Sequence, residues 1–150
     1  MGFHSGSWLL TPVFPMDQTF RLRIVTPYRE VVMEDVGEAQ VPGKEGYLGI
    51  LPGHAPLISM LKVGEISYRR GRDSSHLAVS GGFVEVLPDQ VTILAETAEK
   101  SDEIDVARAQ AAKDRAEKHL RSPEPDLDLS RAGVALERAL IRLQVAARRR

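Results

Sequence analysis

From Phe20 to about Ala95 apolar and polar residues alternate with a period of two, and glycine or proline breaks the pattern every few residues. Phe20, Leu22 and Ile24 flank Arg21 and Arg23, so one side is apolar and the other charged, as in a half-buried strand. Ile66 and Tyr68 alternate with Glu65, Ser67 and Arg69; Val84 and Val86 enclose Glu85; Val91 and Ile93 enclose Thr92. Turn chemistry separates these segments at Pro42-Gly43, Pro52-Gly53, Gly71-Arg72-Asp73, Gly81-Gly82 and Pro88-Asp89. Many short strands at this spacing predict an antiparallel sandwich or barrel. No helix-period segment lies between them, which excludes a parallel α/β sheet.

After Ser101 the pattern changes. Glycine and proline nearly vanish, alanine becomes common and charges recur at helical spacing. Ser101 is the expected N-cap of a first helix, with Asp102, Glu103 and Asp105 near the positive end of its dipole. That helix runs to about Leu120 or Arg121, where Ser122-Pro123-Glu124-Pro125 stops it. A second helix is expected from about Leu129 to Ala147, with Leu129, Ala132, Leu136, Leu140, Leu143 and Ala147 as its apolar stripe. A short connection between helices of similar length implies an antiparallel α-helical hairpin. The facing stripe of the first helix is thin: Ile104, Ala107, Ala111, Ala116 and Leu120. Alanine methyls bury little area, so at ~25 cal/mol per Å² the hairpin gains little from its own interface. It depends on what it docks against and is expected to be the mobile half. The chain thus divides into a disordered leader (residues 1–17), a β-sandwich (18–100) and a two-helix hairpin (101–150).

Composition narrows this picture only slightly. The 150 residues are 43% hydrophobic and 27% charged, ordinary for a soluble globular protein, and with 5% aromatics the core must be mostly aliphatic. Twenty basic and 21 acidic side chains give a net charge of −1, which offers non-specific nucleic-acid binding little electrostatic support. The basic end Arg148-Arg149-Arg150 reads as a solvated tail. The absence of cysteine removes disulfides, thiolate zinc sites and a Cys nucleophile. No apolar run approaches the ~20 residues needed to span a bilayer. The first fifteen residues lack the basic region and apolar core of a signal peptide, and Met16 is an alternative start.

Three segments carry a resemblance. Gly46-Tyr47-Leu48-Gly49-Ile50-Leu51-Pro52-Gly53-His54-Ala55-Pro56-Leu57 resembles the most recognisable stretch of the ATP synthase epsilon family. Ser80-Gly81-Gly82-Phe83-Val84-Glu85-Val86 with Val91-Thr92-Ile93-Leu94-Ala95, and Ile104-Asp105-Val106-Ala107-Arg108-Ala109, are similar to that family in the same order. The resemblance implies about ten antiparallel strands in the sandwich and a C-terminal helical hairpin. It implies a rotor subunit whose sandwich binds the gamma subunit and the ring of c subunits on the cytoplasmic face of a bacterial membrane. Tyr47 and His54 are then the expected contacts to gamma or the c-ring. The hairpin either folds down on the sandwich or extends toward the alpha and beta subunits of the catalytic head, where it inhibits ATP hydrolysis. Many members have an acidic residue where this chain has Tyr47, so any contact there rests on a phenol instead of a carboxylate.

The hairpin also carries candidate ligand chemistry. Asp105, Arg108, Ala112 and Arg115 fall on one face of the first helix, and Arg138 and Arg142 lie one turn apart on the second. Four guanidiniums across a hairpin suit a polyphosphate, because arginine forks match phosphate oxygens bidentately. Asp105 suits adenine or ribose donors, or orients Arg108. The alternative is a charged, solvated face in which Arg108 simply pairs with Asp105. The Ile-Asp-x-x-Arg-Ala motif resembles the mark of those bacterial members whose hairpin binds ATP, and it implies a site of Glu99, Asp105, Arg108, Arg115, Arg138 and Arg142. ATP is then a regulatory ligand, and no cofactor is required.

No catalytic constellation is legible. His54 stands alone in a Pro-Gly turn, His76 and His119 lie in different halves, Ser80 is not in Gly-x-Ser-x-Gly, and no Walker A sequence is present. The classes that remain are a rotor subunit with regulatory helices, a stand-alone ATP-sensing module, and a β-sandwich enzyme whose convergent polar groups are not apparent.

Overall fold

The computed structural model describes residues 18–122, 124–126 and 128–149; the expected leader and Pro123 lie outside them. Eight strands come first: β1 (Phe20–Val25), β2 (Glu30–Val36), β3 (Glu38–Gly43), β4 (Gly46–Ile50), β5 (Leu57–Met60), β6 (Gly64–Arg70), β7 (Asp73–Val86) and β8 (Gln90–Lys100). A 3-10 turn (Ser101–Glu103) leads into α1 (Val106–Arg121) and α2 (Leu129–Ala146).

Two strands are long because each serves both layers. Residues 73–79 of β7 pair with β6, whereas residues 83–86 pair with β5. Residues 90–94 of β8 pair with β1, whereas residues 97–100 pair with the first half of β7. One layer runs β2-β1-β8-β7-β5 and the other β8-β7-β6-β3-β4, so eight strands fill ten sheet positions. The crossing in β7 falls at Gly81-Gly82, where φ is +61 and +114. A Cβ on Gly82 would sit 1.9 Å from the Leu94 carbonyl oxygen, so this close approach of strands needs glycine. Beside it Ser80, one of the few buried polar residues, bonds Thr97 Oγ1 through its hydroxyl at 2.6 Å. One pairing departs from the antiparallel expectation: β1 lies parallel to β8.

The alternation seen in the sequence is the core. Phe20, Leu22, Ile24, Ile66, Tyr68, Val84, Val86, Val91 and Ile93 are all buried in one cluster, while their neighbours Arg21, Arg23 and Glu85 face out.

In the hairpin the observed stripes match those expected at Ile104, Ala116 and Ala132 and differ elsewhere. Asp105, not Ser101, caps α1, its Oδ1 accepting from Arg108 N at 3.0 Å; Ser101 opens the 3-10 turn. The buried positions are Ala109 and Ala116 on α1, and Ala132, Ala139, Val145 and Ala146 on α2. Ala107, Ala111, Leu120, Leu129, Leu140 and Ala147 are exposed, and Leu136 and Leu143 are half-buried. The physical reason is close approach. Alanines seven residues apart, Ala109 and Ala116 on α1 and Ala132 and Ala139 on α2, take the buried positions, and the leucines stand at partly or fully exposed ones. In an alanine-rich helix several stripes have nearly equal hydrophobicity, so periodicity alone did not choose among them.

Of the two helices, α2 is the one laid on the sandwich, against β6, β7 and the 3-10 turn. A small apolar cluster of Ala78, Ile104, Val145 and Ala146, with Ile141 packed on it, joins the two halves. Polar contacts surround it. Glu65, buried on β6, accepts from Gln144 Nε2 (3.2 Å), Arg148 Nε (3.1 Å) and Arg148 Nη2 (3.2 Å). The bond to Glu65 raises the pKa of Arg148. Arg149 Nε donates to the Ser101 carbonyl at 2.6 Å and its Nη2 to that of Ile104.

Candidate functional site

With α2 laid on the sheet, a cavity of about 560 Å³ opens between α1, β8 and the β1–β2 turn. Small-molecule sites commonly fall in the range of about 300–1,000 Å³. The α1 face at residues 105, 108, 109, 112 and 115 forms one wall. Residues 96–99 of β8 with Thr26, Tyr28 and Arg29 line it from the sandwich, and Arg142 lines it from α2. Five of the six residues expected to bind ATP therefore line one space: Glu99, Asp105, Arg108, Arg115 and Arg142. Arg138 does not line it. One turn back along α2, it borders an adjoining small recess that shares Glu99 and Arg142 with the cavity.

Charges inside this space are partly paired. Arg142 Nε donates to Glu99 Oε1 at 2.6 Å, with both side chains about one-third exposed. Arg29 pairs with Glu103, and both line the cavity. Asp105 uses Oδ1 for the helix cap, bonding the backbone of Arg108 and not its guanidinium. Among the described residues Arg108 and Arg115 make no ion pair, so the α1 wall presents unneutralised guanidiniums beside one already held by a carboxylate. The arrangement can take a polyanion: two arginines are available outright, and Arg142 needs only to exchange Glu99 for a phosphate oxygen.

Sequence reasoning missed Thr26, Tyr28, Arg29, Glu96 and Glu103 on this wall. The only signal for Thr26, Tyr28 and Arg29 was the Thr-Pro-Tyr-Arg turn, and nothing in the order of residues says that it faces the second half of the chain.

The two expected partner contacts lie elsewhere. Tyr47 is half-exposed on β4, and its phenolic oxygen accepts from Glu65 N at 3.2 Å. The phenol thus makes a neutral hydrogen bond inside the chain and packs over Gly64. His54 sits in the β4–β5 turn, its Nδ1 donating to the Ala55 carbonyl at 2.8 Å, which serves the turn itself.

A surface not anticipated from the sequence lies on the outer face of the first layer. Met60, Phe83 and Leu94 stand directly opposite one another on β5, β7 and β8, and they are 49%, 51% and 54% exposed. Ile58, two residues before Met60 on the same face, is 70% exposed. Scattered surface apolar residues are ordinary, but three opposite one another across adjacent strands, with Ile58 flanking them, make a contiguous apolar patch. Among the described residues no helix is long and apolar enough to cross a membrane.

Comparison with known proteins gives one consistent relationship. The family model described as "ATP synthase, Delta/Epsilon chain, beta-sandwich domain" matches residues 19–101, and that described as "ATP synthase, Delta/Epsilon chain, long alpha-helix domain" matches residues 102–147. An ATP synthase epsilon chain from Koribacter versatilis is 58% identical over 111 residues, covering 74% of this chain and 78% of that one. An ATP synthase epsilon chain from Syntrophotalea carbinolica is 50% identical over 134 residues, covering 89% of this chain and 97% of its own. Among solved structures, a chain of the mitochondrial ATP synthase of Euglena gracilis superposes with a TM-score of 0.75 at 23% identity, covering 91% of this chain and 86% of that one.

Proposed function

This chain belongs to the ATP synthase delta/epsilon family, among its epsilon chains, and we propose that it is a non-catalytic central-stalk subunit whose hairpin senses ATP. The sandwich binds the gamma subunit and the c-ring, passing ring rotation to the catalytic head on the cytoplasmic face of a bacterial membrane. The outward row of Ile58, Met60, Phe83 and Leu94 suits a large protein partner such as gamma. The hairpin rests on the sandwich when nucleotide is bound and reaches the alpha and beta subunits, inhibiting hydrolysis, when it is not.

The observation that carries this reading is the cavity walled by both halves at once. A nucleotide held there touches the sandwich at residues 96–99, α1 at Arg108 and Arg115, and α2 at Arg142, so it binds only the docked arrangement. Binding to one state stabilises that state by about 2.7 kcal/mol when ligand stands at 100 times its dissociation constant. The apolar docking cluster is only a few side chains, so a term of that size shifts the balance toward the docked state. A stand-alone ATP sensor would share the cavity but leave the exposed apolar row without a purpose.

The test is calorimetric titration of ATP into the purified chain beside an Arg138→Ala, Arg142→Ala variant. Binding that is lost in the variant supports the sensor. No binding at millimolar ATP overturns it. The stalk assignment is tested separately by co-purification with gamma, and failure to associate would sink that part.

A further inference from the structure

The β1–β2 turn is closed on itself by hydrogen bonds and tied to the base of the hairpin by one ion pair. Thr26 N donates to the Arg29 carbonyl at 2.9 Å, and Thr26 Oγ1 accepts from Tyr28 N and Arg29 N at 3.3 Å each. The Arg29 guanidinium then pairs with Glu103, tying the turn to the base of the hairpin. On this anchored turn Tyr28 is 91% exposed, more than any other large apolar side chain among the described residues, yet it lines the cavity. A ring held in water at the edge of a cavity, outside both apolar clusters, has a face left to offer.

The cavity is also polarised along its length. Glu103 and Asp105 stand at the end where the turn is tied down. Arg115 lies ten residues further along α1, about 15 Å away at 1.5 Å per residue. One end offers an aromatic ring and carboxylate oxygens, with the Arg29 guanidinium already paired to Glu103; along α1 Arg108 and Arg115 offer guanidiniums that make no ion pair among the described residues. A nucleotide has matching ends: a flat base with exocyclic donors and a polyphosphate.

We infer that Tyr28 is the base-recognising residue of the nucleotide site, stacking on the purine while the arginines of α1 and α2 hold the phosphates. This inference rests on the proposed ATP site. Arg29 is a positioning residue, since its pairing with Glu103 holds the turn in place. Stacking is tolerant of base identity because every base has a π face, so discrimination among bases falls to Glu103 and Asp105, whose oxygens suit an exocyclic amine.

The experiment compares ATP with inorganic tripolyphosphate on the full chain, by calorimetry, for wild type, Tyr28→Ala and Tyr28→Trp. Tyr28→Ala should weaken ATP roughly tenfold or more, the usual effect of removing one stacked ring, and leave tripolyphosphate unchanged. Tyr28→Trp should retain ATP binding, with indole fluorescence altered by ATP and not by tripolyphosphate. The inference is overturned if Tyr28→Ala binds ATP as wild type does, or if it loses both ligands in equal measure. Wild-type protein that binds tripolyphosphate but gains nothing from the base also overturns it and leaves the phosphate site standing. Wild-type protein that binds neither ligand refutes the nucleotide site itself.

Discussion

Val145 is the one large side chain of the docking cluster that belongs to α2 and is wholly buried, at 0% exposure, among Ala78, Ile104 and Ala146. Replacing it by alanine removes two methyl groups, worth ~0.8 kcal/mol each by transfer, and leaves a void beside side chains too small to fill it. The expected loss is therefore about 2 kcal/mol, close to a thirtyfold shift in the docking equilibrium. The sandwich core does not include Val145, so the loss should fall on docking alone. The chain has no cysteine, so Arg72→Cys and Lys118→Cys, both exposed positions, allow a dye pair to report the distance from sandwich to hairpin. Val145→Ala should widen and lower the transfer distribution, while thermal melting of the strands stays unchanged. Leu140→Ala, on the same helix but 44% exposed, should do neither. If Val145→Ala leaves the distribution as it was, the cluster does not hold the hairpin. If strands and hairpin loosen together, the chain is one cooperative unit and the mobile-hairpin account is wrong.

Two further outcomes follow from the sandwich. Phe83→Asp should alter the stability of the isolated chain by no more than about 0.5 kcal/mol, because the ring is half in water, yet abolish co-purification with gamma; retained association would place the partner face elsewhere. Burial raises the pKa of Tyr68 above its ordinary 10.0, so the ionised form is disfavoured in the folded state. Stability is full below the unfolded value and falls as pH rises through it toward the higher folded value. Urea melts at about pH 9 and about pH 11 should show that loss, and Tyr68→Phe should lessen it.

The sandwich was legible because its signal is binary. Phe20, Leu22 and Ile24 can face only one way once Arg21 and Arg23 face the other, and the core follows without knowledge of partners. That β7 and β8 each span two layers was not legible, since pairing is set by non-local neighbours; the double glycine at residues 81–82 marked only that something bends. In the hairpin the elements and their limits were close. The buried faces were read only in part: Ile104, Ala116 and Ala132 are buried as expected, but Ala107 is exposed and Ala109 buried, two residues that differ in nothing but their neighbours. The α1 half of the candidate site was visible as one helical face of Asp105, Arg108 and Arg115. The other wall was not, because Tyr28 and Arg29 reach it from more than seventy residues away in sequence. Arg138, chosen by spacing from Arg142, turned out to border the neighbouring recess.

If nucleotide and docked hairpin stabilise one another, hydrogen exchange on the full chain with and without ATP will show it. ATP should slow exchange together in the β1–β2 turn, at residues 96–99, and along α1 and α2, while the strand cores remain as protected as before. Protection confined to α1 would mean that a ligand binds the helix without closing it on the sandwich. Helices that exchange faster with ATP, or not differently at all, would contradict the account outright.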